Sequence, residues 1–331
     1  MAKVLNAIGI EDNNTITIVK NVGSISKSLF DIEGNSNLLQ RLNDPNTQVA
    51  PMIFGGVKQN IEVKVPTDVI IFNSICNADK SSKALKLLSD FIEQVSLPVI
   101  NHPDKVLETS RDSIAKKLSV LDGLIVPRCI KIRPDSTKEV MQTIEKENFP
   151  LPFIFRTSGD QGSKNMVKID SLDTLTESLE CFAFTGENEF YLIEYVDYRS
   201  DDGYYRKARY WVVGDKVIAR HLVIATSWNI SYDIKKEMMS HKKELQDEER
   251  NFMEGEHREN IKKCLAIKES LGLDYFGIDC NINEKGEMLM FEATPCMAVI
   301  EDKDFPYINT AIEKINTATQ ALITHKERSN K

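Results

Sequence analysis

The stretch LDYFGIDCNINEKGEMLMFEATPCM, residues 273–297, decides the fold expected of this chain. Asp279 ends one apolar run and Glu292 ends another, and the polar segment NINEKGE separates the two runs. A Gly-containing polar segment between apolar runs predicts a β-hairpin, which would place Asp279 beside Glu292. Two adjacent carboxylates repel one another unless a cation lies between them, and carboxylate oxygens suit Mg²⁺. The alternative is an ordinary hairpin with two acidic residues at its edge.

The composition indicates a globular protein with two or three subdomains. The chain has 331 residues and a net charge of −8, and this acidity argues against a broad nucleic-acid-binding surface. The six cysteines form no CxxC pair, so we expect reduced thiols, a cytoplasmic location, and neither a zinc site nor a disulfide framework. The opening MAKVLNAIGIEDNN lacks a long apolar run and no 18-residue apolar run occurs, so we expect no secretory signal and no membrane span.

The first 105 residues are expected to form an α/β domain. The run VIIF at 69–72 is typical of a strand buried on both faces, and residues 83–95 have helical spacing. A strand at 98–100 would then pair in parallel with the strand at 69–72 through a right-handed crossover. Neither GxGxxG nor GxxxxGK[ST] is present, which disfavours a dinucleotide-dependent dehydrogenase. Two further short β-like runs lie at 4–10 and 16–19.

A basic helix is predicted next, capped by Thr109 or Ser110, continuing through Leu118 and ending by Gly123. Its lysines either face solvent or approach a ligand, and a solvated face is the commoner outcome. A strand at 126–132 and a helix at 136–147 follow in the sequence.

The stretch LPFIFRTSGDQGSKNMVKI, residues 151–169, predicts two strands joined by a flexible loop. The first strand delivers Arg156 to the loop TSGDQGSKN, which contains Gly159, Gly162 and Lys164. Backbone N–H groups and cationic side chains in such a loop can surround a polyphosphate. The alternative is a simple turn.

An antiparallel meander is expected after a strand at 190–196, with a two-residue turn at Gly214–Asp215. Period-two alternation in YRKARYW places Lys207 and Arg209 on one face of a strand and Arg206 on the other. The cationic pair would suit an anionic ligand, or it would pair with acidic neighbours across the sheet. Helices are predicted at 233–270 and 307–324.

Four stretches, in this order, resemble the ATP-grasp ligases, and in particular the branch with ribosomal-protein glutamate ligases and glutathione-synthetase-like enzymes. They are PVINHPDKVLETSRDSIAKKL, FIFRTSGDQGSKNM, GYYRKARYWVVGDKVIARHLVIATSWNIS and LDYFGIDCNINEKGEMLMFEATPCM. The resemblance implies an α/β (α+β) ATP-grasp fold in which two subdomains clasp ATP. Its parts would be an N-terminal α/β pre-ATP-grasp domain (1–105), a central ATP-grasp subdomain (106–187) and a C-terminal ATP-grasp subdomain with the metal site (188–326).

The resemblance also implies roles for individual residues. The residues that would contact ATP are Lys117, Arg156, Gly159, Gly162, Lys164, Glu194, Tyr195, Val196 and Asp197. The expected Mg²⁺ ligands are Asp279, Glu292 and Thr294. The expected catalytic residues are Arg209, Lys207 and His221, and the expected substrate-binding residues are Arg206, Trp228 and Asn229. Thr294 stands where many relatives have Asn, Ser113 where relatives often have Lys, and Lys207 where several have an acidic residue.

The implied chemistry has two steps. A carboxylate attacks ATP to form an acyl phosphate and ADP, and an amine or another nucleophile then displaces phosphate. The substrates would be a carboxylate and an amine, with an amino acid or a peptide suggested by the family, and many relatives are dimers or tetramers. The alternative is a catalytically degenerate ATP-grasp protein that acts as a nucleotide-binding or scaffold module, an alternative kept open by Thr294.

Overall fold

A computed structural model describes residues 2–21, 29–42, 44–57, 65–160 and 165–329. The described residues form three larger sheets and one two-stranded sheet. The strands are β1 (Ala2–Gly9), β2 (Ile18–Asn21), β3 (Leu29–Ile32), β4 (Thr47–Phe54), β5 (Val69–Asn73), β6 (Val99–Ile100), β7 (Leu124–Ile125), β8 (Cys129–Ile132), β9 (Phe153–Thr157), β10 (Met166–Ile169), β11 (Phe190–Glu194), β12 (Tyr205–Val213), β13 (Lys216–Ala225), β14 (Tyr275–Ile282) and β15 (Met288–Thr294).

Helices cover these sheets and connect their strands. They are α1 (Leu38–Arg41), α2 (Ser82–Val95), α3 (Pro103–Leu107), α4 (Arg111–Leu118), α5 (Thr137–Lys146), α6 (Leu175–Ser178), α7 (Tyr232–Met239), α8 (Lys243–Glu254), α9 (Arg258–Leu271) and α10 (Thr310–Ser329). Two short 3₁₀ helices lie at Leu172–Thr174 and Pro306–Asn309. Among these described helices, none has both the length and the apolar character needed to span a membrane.

The N-terminal sheet has the order β4-β1-β5-β6, and all of its pairs are parallel. All five residues of β5 are buried, as the continuous apolar run predicts. Helix α2 connects β5 to β6 and buries five apolar residues, which confirms the predicted strand–helix–strand unit. The carboxyl end of β5 leads into the loop at 74–81, which reaches the candidate site described below.

The central sheet has the order β10-β9-β11-β8 and is antiparallel throughout. Its inner face is packed with aromatic side chains, including Phe153, Phe155 and Phe190. The predicted subdomain boundary at 188 would assign β11 to the C-terminal subdomain. In the structure β11 pairs with β8 and β9, so it belongs to the central sheet.

The C-terminal sheet has the order β13-β12-β14-β15-β7. The β12–β13 hairpin turns at Gly214–Asp215, as predicted. Of the strand predicted at 126–132, residues 129–132 form β8 in the central sheet, whereas the preceding strand β7 pairs with β15 in this sheet. Pro127 lies between them and has no N–H to donate to a ladder, so the chain changes sheets there.

Helix boundaries differ from the prediction in three places. Helix α4 ends at Leu118, and Gly123 instead takes a left-handed conformation in the turn before β7. The predicted helical region 233–270 is divided into α7, α8 and α9. The last helix begins at Thr310 because a 3₁₀ turn precedes it, and it continues to Ser329.

Candidate active site

A cavity of about 620 Å³ lies between the central and C-terminal sheets. One wall comes from β9 and from residues 193–196 at the end of β11, and the facing wall comes from β12 to β15. A smaller cavity of about 70 Å³ adjoins it and is also lined by residues 76–79 of the loop after β5. Arg111 and Glu292 line both cavities, so all three sheets contribute to one continuous region.

The paired carboxylates predicted from the sequence lie in this region. Asp279 and Glu292 are direct partners in the β14–β15 hairpin, next to a bulge between Asp279 and Cys280. This register confirms that the hairpin places the two carboxylates side by side. Strand β12 lies on the other side of β14, and it aligns Arg209 with Asp279.

Each carboxylate has its own arginine. Arg209 donates two hydrogen bonds to Asp279, from Nε to Oδ1 at 2.6 Å and from Nη2 to Oδ2 at 2.8 Å. Lys207 Nζ lies 3.9 Å from Asp279 Oδ2. Arg111, at the start of α4, contacts Glu292 Oε1 at 2.5 Å through Nη2 and donates from Nη1 to the carbonyl of Phe291 at 3.1 Å.

The charge of Asp279 is fixed by these neighbours. Burial alone would raise the pKa of this carboxyl, but Arg209, and then Lys207 and Arg111, hold the pKa below its ordinary value. Burial and Arg209 also act on Lys207, whose pKa is lowered despite the presence of Asp279. The site therefore contains ionised Asp279 within a group of closely packed cations.

The oxygen donors here fit Mg²⁺ in type. Carboxylates of Asp279 and Glu292 are the ligands that Mg²⁺ prefers, together with substrate phosphates. Thr294 Oγ1 is buried and accepts a hydrogen bond from the amide of Cys296 at 3.1 Å. Within the described residues, no group of three or more His, Cys, Asp or Glu side chains is arranged to hold a metal. The set fits a metal that arrives with phosphates better than a metal held by protein ligands alone.

Arg156 reaches the cavity from the end of β9. It is buried, its Nη2 donates to the carbonyl of Asp160, and its Nε has no hydrogen bond among the described residues. Burial, and then the nearby Arg111, lower the pKa of Arg156 to about 10. Four cationic side chains lie around the carboxylates of Asp279 and Glu292, so positive charge is in excess there and suits a polyphosphate. They are Arg111, Arg156, Lys207 and Arg209.

The stem of the predicted phosphate loop contacts the loop that follows β5. Gly159 has a φ of +75°, and a Cβ at this position would lie 2.6 Å from Lys80 Cγ. Asn77 Nδ2 donates to the Gly159 carbonyl at 2.9 Å, and Lys80 Nζ pairs with Asp160 at 2.8 Å. Gly159 lines the smaller cavity. The predictions for Gly162 and Lys164 lie outside the described residues.

The segment that follows β11 lines the opposite end of the cavity. Glu194, Tyr195 and Val196 all contribute to its wall. The amides of Glu194 and Tyr195 donate to the carbonyls of Arg128 at 2.8 Å and Pro152 at 3.1 Å. The Tyr195 ring packs edge-on against Trp228, and the two ring centroids are 5.7 Å apart. This end of the cavity is therefore narrow and aromatic.

The predicted substrate residues on the cavity wall are His221, Trp228 and Asn229. His221 pairs with Arg209 across the β12–β13 ladder. Burial, and then the positive charges of Arg209 and Lys235, lower the pKa of His221 well below its ordinary value, so the imidazole is neutral at pH 7. Asn229 Oδ1 is buried and has no hydrogen bond among the described residues.

Three predicted ligand residues do not line either cavity. Lys117 pairs with Glu108 instead. Arg206 points from the opposite face of β12 and binds Asp202 and Glu248, each at 2.7 Å, because adjacent strand residues alternate between faces. Asp197 is exposed and accepts a hydrogen bond from the amide of Arg199 at 3.2 Å.

Sequence reasoning left three residues of this region without a role. Arg111 was visible as the first residue of the basic helix, but its contact with Glu292 joins positions 181 residues apart. Lys235 and Asp302 also line the larger cavity. Neither belongs to a recognisable motif, and only the folded chain brings them together.

Comparison with known proteins was made for the sequence and for the structure. No protein-family model and no curated protein sequence matches the chain. Solved structures match over nearly its whole length, among them D-alanyl-alanine synthetase A from Vibrio cholerae, with a TM-score of 0.57, 12% identity, and 98% of both chains covered. The chain has an ATP-grasp fold.

Two other ATP-grasp structures are similar to this chain. A RimK domain ATP-grasp protein from Sphaerobacter thermophilus has a TM-score of 0.53 and 11% identity, with 98% of this chain and 100% of that chain covered. A RiPP-associated ATP-grasp ligase from Chryseobacterium gregarium, in complex with ADP and a leader and core peptide, has a TM-score of 0.53 and 13% identity, with 98% and 97% covered. These comparisons confirm the predicted fold.

Proposed function

We propose that this ATP-grasp protein is an ATP-dependent ligase that joins a carboxylate to an amine, or to another nucleophile, through an acyl phosphate. One observation carries the proposal: Asp279 and Glu292 lie side by side in a cavity that is also lined by Arg111, Arg156, Lys207 and Arg209. Such a site suits phosphoryl transfer, which depends on positioning and on charge stabilisation rather than on a protein nucleophile. An amino acid or a peptide is the proposed substrate class.

The nucleotide would lie with its adenine near residues 194–196 and its phosphates near Arg156. The amides of Glu194 and Tyr195 already donate to other strands, so adenine recognition would depend on the remaining backbone groups of the segment and on the packing of Tyr195. Gly159 and Asp160 would lie near the phosphates, because the Asp160 carbonyl accepts a hydrogen bond from Arg156.

Asp279 and Glu292, with the Thr294 hydroxyl nearby, would hold Mg²⁺. When bound, Mg²⁺ would offset the negative charge of the phosphates and of the group being transferred. Arg209 is hydrogen-bonded to Asp279, and Arg111 is hydrogen-bonded to Glu292. The two guanidinium groups would therefore lie close to the transferred phosphoryl group. Their positive charge would stabilise the charge that develops during acyl phosphate formation.

His221 would take part in the second step. A neutral imidazole on the cavity wall can accept a hydrogen bond from the attacking amine and orient it, whereas burial and the neighbouring cations oppose full protonation of the ring. Lys207 would keep its cationic group close to the reacting carboxylate, because its Nζ donates to the Ile230 carbonyl at 2.9 Å and so is fixed in place.

The test is ADP release from ATP and Mg²⁺ in the presence of a panel of carboxylates and amines. The ligase should release ADP and phosphate only when an acid and an acceptor are both supplied. Arg209→Ala should lower turnover more than it lowers ATP binding, because its partner lies at the reacting end of the cavity. Equal loss of both would make Arg209 a nucleotide contact.

A catalytically degenerate nucleotide-binding protein is the second candidate. It is favoured by Thr294, which offers a neutral hydroxyl, and by the arginines that already occupy both carboxylates. For this candidate, ATP should stabilise the protein without any ADP release across the whole panel.

A further inference from the structure

The larger cavity extends beyond the proposed phosphate site into a region with different chemistry. There its wall is formed by the start of α7 and by the segment that follows β15. Ser231, Tyr232 and Lys235 come from the first element, and Ile300 and Asp302 come from the second. The ligase proposal assigns none of these residues a role.

Lys235 supplies a fixed ammonium group to this region. The side chain is almost fully buried, and its Nζ donates to Glu249 Oε1 at 3.1 Å. The Phe305 ring lies 4.4 Å from the same ammonium. Glu249 is itself fixed, because it also accepts from the amide of Leu222 and from the hydroxyl of Tyr307. The contacts with Glu249 and Phe305 therefore fix the position of the ammonium group.

Asp302 supplies a carboxylate oxygen with free acceptor capacity. Its Oδ1 accepts from the Tyr232 hydroxyl and from the amides of Asp304 and Phe305, at 3.2, 3.0 and 2.9 Å. Its Oδ2 has no hydrogen bond among the described residues, and lies 3.8 Å from Lys235 Nζ. Three donors thus orient the carboxylate of this cavity residue, while its Oδ2 keeps acceptor capacity for a ligand.

The charges at this end are balanced. Arg220 and Lys235 stand against Glu249 and Asp302, with Arg220 Nη1 and Nη2 donating to backbone carbonyls at 2.7 and 2.8 Å. A balanced site disfavours a polyphosphate, whereas the excess cationic charge near Arg156 favours one. The adjacent ammonium and carboxylate instead match a ligand that carries both charges a few ångströms apart, such as a zwitterion.

The start of α7 strengthens the match on the carboxylate side of such a ligand. Ser231 caps the helix by accepting from the amide of Ile234, and both Ser231 and Tyr232 line the cavity. The first amides of a helix carry partial positive charge, which suits a carboxylate.

We propose that Lys235 and Asp302 bind the α-carboxylate and α-ammonium groups of a free amino acid. The assignment rests on the proposed ligase function, for which it names the substrate that occupies the far end of the cavity. It selects a free amino acid over a residue at the end of or within a peptide, because each peptide bond removes one of the two charges.

Isothermal titration tests this assignment. The protein is loaded with a non-hydrolysable ATP analogue and Mg²⁺, and the twenty proteinogenic amino acids are titrated one by one. At least one should bind, and both its N-acetyl and its carboxamide derivative should bind at least tenfold more weakly, because each lacks one charge. Asp302→Asn keeps an acceptor oxygen for the amides of Asp304 and Phe305, and it should weaken the binding of the free amino acid about tenfold or more.

Two variants separate charge recognition from folding. Lys235→Met/Glu249→Gln removes both buried charges together, so it avoids an unpaired carboxylate, and it should also lose tenfold or more in amino acid affinity. Asp304→Asn is the matched control, because Asp304 also binds the Tyr232 hydroxyl, at 2.9 Å, but does not line the cavity. It should leave the affinity unchanged.

The results distinguish this assignment from the ligase proposal. Binding of the nucleotide with no amino acid bound would overturn the assignment and leave the nucleotide site in place. Tight binding of the N-acetyl or carboxamide derivative would also overturn it. Failure of the nucleotide analogue itself to bind would count against the ligase proposal.

Discussion

The ion pair between Arg209 and Asp279 offers the most quantitative test of the site's electrostatics. The Asp279 side chain is 7% exposed, and Arg209 donates both of its carboxylate hydrogen bonds at 2.6 and 2.8 Å. Arg209→Met removes the charge but keeps much of the stem. Removal of one member of a buried pair costs about 3–5 kcal/mol, and we expect about 3 kcal/mol because Lys207 remains 3.9 Å away.

The double variant Arg209→Met/Asp279→Asn shows how much of this loss comes from an unpaired charge. It should recover about 2 kcal/mol relative to the sum of the single changes, as expected for residues in direct contact. Urea unfolding of the wild type, both single variants and the double variant at pH 7 measures this coupling. The reasoning would be refuted if Arg209→Met lowered the free energy of unfolding by less than about 1 kcal/mol. It would also be refuted if the double variant were no more stable than the sum of the two single losses predicts.

The pH dependence has a defined sign. In the wild type the pKa of Asp279 is lowered, so its contribution to stability is present above the ordinary Asp pKa and is lost only as the pH falls through the lowered value. Without Arg209, burial would raise that pKa, and the carboxyl would be protonated on mild acidification. The free-energy difference between Arg209→Met and wild type should therefore be smaller at pH 5 than at pH 7.

Three further predictions concern the hairpin, the buried histidine and the far face of β12. Gly277→Ala should cost about 1–3 kcal/mol in urea unfolding, because the new Cβ would lie 2.1 Å from Met297 Sδ, and adding Met297→Ala should restore part of the loss. The pKa of His221 is lowered, so the unfolded chain binds the proton first as the pH falls below about 6.5, and the free energy of unfolding falls by up to about 1.4 kcal/mol per pH unit. His221→Gln should remove this contribution to the pH dependence of stability between about pH 6.5 and 5.5. An unchanged pH dependence in the variant would contradict the burial of the ring. Arg206→Ala should leave the affinity for ATP unchanged in titration calorimetry, because Arg206 forms its ion pairs away from the cavity. A large loss of ATP affinity in this variant would show that Arg206 does contact the nucleotide.

Local patterns were sufficient to predict the hairpin and its paired carboxylates. Two apolar runs and a Gly-containing turn fix the register of β14 and β15, so Asp279 and Glu292 could be paired before the structure was known. The same local logic predicted Thr109 or Ser110 before the basic helix, where the structure has Ser110, and it separated Lys207 and Arg209 from Arg206. Each of these features depends on residues close together in the sequence.

Contacts between distant segments could not be predicted in this way. The pairing of Arg111 with Glu292 depends on how α4 packs beside β15, and the Lys235–Asp302 pair depends on the path of the chain after Thr294. Pro127 carried a local signal for the break between β7 and β8, but a continuous apolar pattern around it concealed the change of sheet. Tertiary packing, rather than local propensity, decides these features.

The central claim is that the cavity binds ATP together with Mg²⁺ at Asp279 and Glu292. The most direct test is a thermal-shift titration with ATP, with and without Mg²⁺, on the wild type and on Asp279→Asn. A ligand that binds only the native state at 100 times its Kd should add about 2.7 kcal/mol of stability. We predict a Mg²⁺-dependent shift in the wild type that is lost in Asp279→Asn. No shift with ATP in the wild type, or an equal Mg²⁺-dependent shift in the variant, would contradict the claim.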